Sequence, residues 1–171
     1  MAKAQVSPAG DVAELVISAP PLNLFDGQLI TDLEAALDEL DALIRTRAAR
    51  AVLLRAEGKV FCAGVDVHEF QGLGPAQGAV LMARFLALVQ TLERLPVPTM
   101  AVVHALNLTI GFELCLGCDL MWAAEDASFG LAAADAVTAR EVGQIFATRD
   151  LPAGLESLLE QGPNQAIFEG R

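Results

Sequence analysis

Two short stretches carry the residue types that could do chemistry: residues 59–69, KVFCAGVDVHE, and residues 105–114, ALNLTIGFEL. In each, a strand-like apolar run breaks into small residues, and a helix begins soon after. Such a break turns backbone N–H groups toward open space, because the first N–H groups of a helix have no partner inside it. Two of these brought together can hold a developing negative charge on an oxygen. Ala63 and Gly64 leave room above the main chain, where a bulky side chain would block a ligand. Asp66 is placed to cap the helix that follows. Taken alone, C-A-G-V-D reads equally well as a plain tight turn. Glu113 is the carboxylate of the second stretch, set among Ile110, Phe112, Leu114 and Leu116. A carboxylate there is expensive to bury unless paired or protonated. Desolvation would raise its pKa and suit it to proton transfer near neutral pH. The competing reading is a glutamate in a helix's first turn, favoured there by the helix dipole.

The elements that must position these stretches alternate along the chain. Val12–Ile17 reads as a mostly buried strand, ended by Pro20 and Pro21. Asp26 is an N-cap for a long helix on which Leu29, Ile30, Leu33, Ala36, Leu37, Leu40 and Ile44 recur at three- and four-residue steps. Residues 51–54 form a second strand, and the loop after it delivers the first chemical stretch. A second amphipathic helix spans residues 75–95, with Val80, Leu81, Phe85, Leu88, Val89 and Leu92 on its face. Pro96 and Pro98 stop it. Thr99–Val103 is a third strand and residues 118–123 a fourth, separated by a helix starting near Gly111. Strands alternating with helices predict β-α-β crossovers and a parallel sheet.

At 171 residues the chain suits one domain with a real core. It is 54% hydrophobic, with a mean hydropathy of +0.46, yet no stretch reaches the roughly 18 apolar residues of a membrane-spanning helix. The first residues lack the apolar run of a secretory signal. A cytoplasmic protein that buries apolar surface partly between subunits is expected. A net charge of −11 argues against nucleic acid or an anionic membrane as partner. A polyanionic ligand would need backbone amides or a local cluster of cations, of which Arg55 and Lys59 are nearest to the first stretch. Three cysteines suggest reduced thiols. Cys115 and Cys118 form a C-x-x-C without a second pair, so core packing is expected and no metal site. His68 and His104 read as a helix-surface and a strand-end histidine.

Together the motifs resemble the enoyl-CoA hydratase/isomerase family, the crotonases, almost continuously from Val12 to Leu131. The resemblance then fails and resumes at the C-terminus. It implies an α/β fold, a crotonase-like spiral of β-α-β units with an abbreviated C-terminal helical portion. Residues 1–131 would be the core and residues 132–171 a helical tail of the same domain. The implied reaction is proton transfer on an acyl-CoA thioester, by family default the reversible hydration of a 2-enoyl-CoA. The N–H groups of Val65 and Ile110 would form the oxyanion hole, and Glu113 would be the first catalytic carboxylate. Thr109 and Ile110 stand where the family usually has glycine, and positive φ is costly for β-branched residues. The family's F-G-x-P-E falls on Phe129-Gly130-Leu131-Ala132-Ala133, so Ala133 stands at the second carboxylate position. An internal loss of many tens of residues near residues 131–135 would account for this. Leu22, Asn23 and Leu24 match the turn that lines the pantetheine channel. Ala63, Gly64, Val65, Asp66, Val67 and Gly111 match positions around the coenzyme A and thioester. Coenzyme A arrives as part of the substrate and no further cofactor is implied. Family members commonly form trimers or pairs of trimers. Catalytically impaired acyl-CoA binding, or a structural subunit, are the rival expectations, and Ala133 favours the first.

Overall fold

Four parallel strands frame the molecule, with a fifth running antiparallel at one edge. The computed structural model describes residues 2–130, so Ala133 and the tail expected over residues 132–171 lie outside the described residues. In chain order the elements are β1 (Ala4–Ala9), β2 (Val12–Ile17), α1 (Gly27–Arg45), β3 (Ala51–Ala56), α2 (Pro75–Glu93), β4 (Thr99–Val103), β5 (Asn107–Leu108), α3 (Ile110–Leu116), β6 (Leu120–Ala123) and β7 (Phe129–Gly130). Neighbours in the main sheet run β1-β2-β3-β4-β6, and β5 pairs with β7 in a second, two-stranded sheet. Parallel neighbours need a crossover, which α1, α2 and α3 provide in turn. Residues 2–65 and 85–130 form one compact unit, and residues 66–84 belong to a second.

The first unit's core follows from two periods. Strand β3 buries Val52, Leu54 and Ala56, and β4 buries Thr99, Ala101 and Val103, every second residue in each case. Helix α1 buries the whole stripe read from the sequence: Leu29, Ile30, Leu33, Ala36, Leu37, Leu40 and Ile44. Its start is fixed by Asp26, whose carboxylate accepts from the Leu29 N–H at 2.8 Å and pairs with the Lys3 ammonium. The C-terminal part of α2 adds Phe85, Leu88 and Leu92.

Several details differ from the sequence expectation, among them β3, which runs on to Ala56 rather than ending at residue 54. Strand β1 was not expected: it is a largely exposed edge strand containing Pro8, with little hydrophobic period to read. It returns into β2 through Gly10 and Asp11, with Gly10 at φ +67, a tight hairpin. Helix α2 ends at Glu93, and Val80 is 63% exposed. Five residues before Phe85, Val80 lies about 140° round the helix from it. The fourth strand begins at Leu120 rather than 118, because Asp119 is engaged with Thr99, accepting from its N–H at 2.8 Å and its hydroxyl at 2.9 Å. The β5–β7 pairing is too short to leave a pattern in sequence.

Candidate functional site

The two stretches singled out by their residue types run side by side. Cys62 pairs with Asn107 in parallel register, the Leu108 N–H donates to Cys62 O at 2.9 Å, and the Phe61 N–H donates to Leu106 O at 2.9 Å. The first turn is held from its other side as well. The Ala63 N–H donates to Leu22 O at 3.0 Å, and Gly64 O accepts from the Phe25 N–H at 2.9 Å. The peptide unit is planar and trans, so the Val65 N–H points opposite to the Gly64 carbonyl, away from Phe25. Gly64 has φ +111, a conformation that other residues rarely adopt.

The second turn is built the same way. Thr109 donates its N–H to Gly130 O at 2.7 Å, and its carbonyl accepts from the Glu113 N–H at 2.9 Å along the axis of α3. The Ile110 N–H shares that peptide unit, so it points backward, out of the helix start. Positive φ falls on Thr109 (φ 49, ψ −122), while Ile110 is already helical and buried. The turn therefore stores its strain in one β-branched residue ahead of the donor. The turns touch: a Cβ on Gly64 would lie 3.2 Å from Thr109 Oγ1. A Cβ on Gly111 would lie 2.4 Å from Cys62 Cβ and 2.5 Å from Asn107 Oδ1, so only glycine fits there. Asn107 is fully buried and donates its Nδ2 to Cys115 Sγ at 3.2 Å, while its Oδ1 and the Thr109 hydroxyl have no hydrogen-bond partner among the described residues.

Glu113 follows Ile110 by three residues, so both lie on one face of α3. Its side chain is half-buried, and desolvation pushes its carboxyl above the ordinary glutamate range. A purely dipole-stabilised glutamate would shift the other way. Burial is the stronger influence here.

The remaining positions divide between the two units. Asn23, 1% exposed with φ 49, spends its amide inside the protein. Its Oδ1 accepts from the Ala19 N–H at 2.7 Å, and its Nδ2 faces the carbonyls of Glu57, Val60 and Phe61 at 2.8, 3.0 and 3.1 Å. Leu22 is exposed and Leu24 half-buried on the turn that Asn23 holds. In the second unit Asp66 caps the short 3-10 turn Val67–Phe70, accepting from the His68 N–H at 3.0 Å, as the sequence suggested. His68, with no partner evident in sequence, also meets that carboxylate through Nδ1 at 2.7 Å. His104 Nε2 lies 3.0 Å from Gly58 O. Arg55 is engaged by Glu14 at 2.8 Å and Glu57 at 3.2 Å, which leaves Lys59 as the exposed cation of that loop. Cys115 is buried in the core, and desolvation pushes its thiol up to about 12 and that of Cys118 to about 11. Among the described residues no cluster of His, Cys, Asp or Glu could hold a metal ion, and no helix is long and apolar enough to cross a membrane.

A mostly parallel α/β sheet here presents two adjacent backbone turns, one of them opening a helix with a desolvated glutamate, an arrangement whose chemistry would suit polarising a carbonyl beside a proton carrier. The enoyl-CoA hydratase/isomerase family model matches residues 8–152. A probable enoyl-CoA hydratase of Bacillus subtilis is 34% identical over 121 residues, which is 70% of this chain and 46% of that protein. Human mitochondrial methylglutaconyl-CoA hydratase is 34% identical over 93 residues, covering 54% of this chain and 27% of that one. Among solved structures, an enoyl-CoA hydratase/isomerase from Xanthobacter autotrophicus Py2 superposes with TM-score 0.69 at 28% identity, over 75% of this chain and 48% of that one. The chain belongs to the enoyl-CoA hydratase/isomerase family and shares its crotonase-type fold. It spans about half the length, or less, of these relatives.

Proposed function

We propose that this chain binds an acyl-CoA thioester and stabilises its enolate, and that the reaction it serves is the reversible hydration of a 2-enoyl-CoA. The observation that carries this reading is the aim of two N–H groups. Those of Val65 and Ile110 are each set by a carbonyl anchored on the opposite side of the same peptide unit. A thioester oxygen accepting from both would hold the charge that develops as the α-carbon gains or loses a proton. Glu113, on the face of α3 shared with Ile110, supplies or receives that proton, and its raised pKa suits the exchange. Leu22, Asn23 and Leu24, with Ala63, Gly64 and Gly111, contribute backbone to the walls for the thioester and pantetheine. Coenzyme A enters with the substrate, so the reading invokes no separate cofactor.

Hydration in this family uses a second carboxylate, and Ala133 at that position in the sequence favours a second reading, acyl-CoA binding without turnover. A test that separates the two follows exchange of the α-proton of butyryl-CoA with heavy water. The parent should exchange, and Glu113→Gln should lose at least about a hundredfold in rate while binding the thioester as tightly. Binding without exchange by the parent would select the second reading; equal exchange by Glu113→Gln would remove Glu113 from the mechanism. Self-association into trimers or pairs of trimers, and a cytoplasmic setting that keeps the thiols reduced, belong to the same proposal.

A further inference from the structure

The two turns share a fastening that neither motif announces. Cys62 is fully buried, and its Sγ accepts from the Gly64 N–H at 3.2 Å. The same sulfur packs against Gly111, where an added Cβ would come within 2.8 Å of it. Each glycine adjoins one candidate donor: Gly64 precedes Val65, and Gly111 follows Ile110. The Cys62 backbone is itself stitched to the second stretch through Leu106 O and the Leu108 N–H. We propose that Cys62 is a positioning residue whose thiol holds the Gly64 amide and packs against Gly111, and so sets the aim and spacing of the Val65 and Ile110 N–H groups. This rests on reading those groups as an oxyanion pair.

The physical case has three parts. Glycine at φ +111 is the residue with most freedom to turn, so a donor following it needs its peptide planes pinned. Gly64 has its N–H on sulfur and its carbonyl on the Phe25 N–H, which pins the planes on both sides. Charge is the second part. Burial pushes the Cys62 thiol up to about 11, so the sulfur stays uncharged at neutral pH and does not repel a developing oxyanion. Size is the third: sulfur fills the space against Gly111, where an added carbon has no room.

The test uses the full 171-residue chain and butyryl-CoA labelled with heavy carbon at its carbonyl. Infrared difference spectroscopy reads how far the bound carbonyl stretch moves to lower frequency, which reports aim at the oxygen rather than general stability. The parent should show a clear shift. Cys62→Ala and Cys62→Val should each keep less than about half of it, with melting temperatures recorded beside them. Cys62→Ser, which retains an acceptor, should keep more of the shift than either. A shift in Cys62→Ala or Cys62→Val equal to the parent's overturns the positioning role and leaves the proposed function standing. Binding by the parent with no shift overturns both.

Discussion

Desolvation gives Glu113 a consequence that can be measured without any substrate. Its folded-state pKa lies above the ordinary value of 4.5, so the folded protein holds that proton more tightly than the unfolded chain does. The stability this contributes is fully present below the unfolded pKa and is lost as pH rises through the folded one. Glu113→Gln keeps the shape and removes the titration. The variant should melt above the parent at about pH 8 and level with it at about pH 4. A gap of the same size at both values would mean that burial does not govern this carboxyl. A gain in stability on removing a proton carrier is the usual trade between activity and stability.

At the scale of elements, the turn joining β2 to α1 depends on one amide. Asn23 serves the Ala19 N–H and three carbonyls of the segment entering the first turn, at a φ of 49 that asparagine tolerates better than most residues. Asn23→Ala leaves buried polar groups without partners, at about 1–3 kcal/mol for each that water cannot reach. A loss of roughly 2–4 kcal/mol in urea unfolding is expected, with the slope unchanged. A midpoint within error of the parent's would show that the turn stands without this side chain.

At the scale of the whole molecule, β6 matters most, the strand that ends the main sheet among the described residues. All four residues of β6 are exposed; Leu120 is 58% and Trp122 70% accessible, with Leu116 and Phe129 exposed as well. An apolar edge strand of this kind favours association. Trp122 is the chain's one tryptophan, so its emission should move to shorter wavelength as concentration rises and assemblies form. Trp122→Lys should shift the sedimentation profile toward the 18.0 kDa monomer. An assembly of unchanged size in that variant would take β6 out of the interface.

Residue spacing alone determined α1 with its Asp26 cap and buried stripe, the limits of β2 and β4, the parallel alternation, and the two turns with Glu113 beside them. Each rests on a period or a local break along one element, which spacing encodes directly. Tertiary structure alone decided that β1 completes the sheet, that β6 stands exposed at its edge, and that Asn23 faces inward. It also decided that positive φ falls on Thr109, which is held between Gly130 O and Gly64, while Ile110 starts the helix. The meeting of Cys62 with both Gly64 and Gly111 belongs here too. These depend on which atoms face one another between segments distant in the chain. Strand register and a few turn dihedrals set that, and neither leaves a period in the sequence.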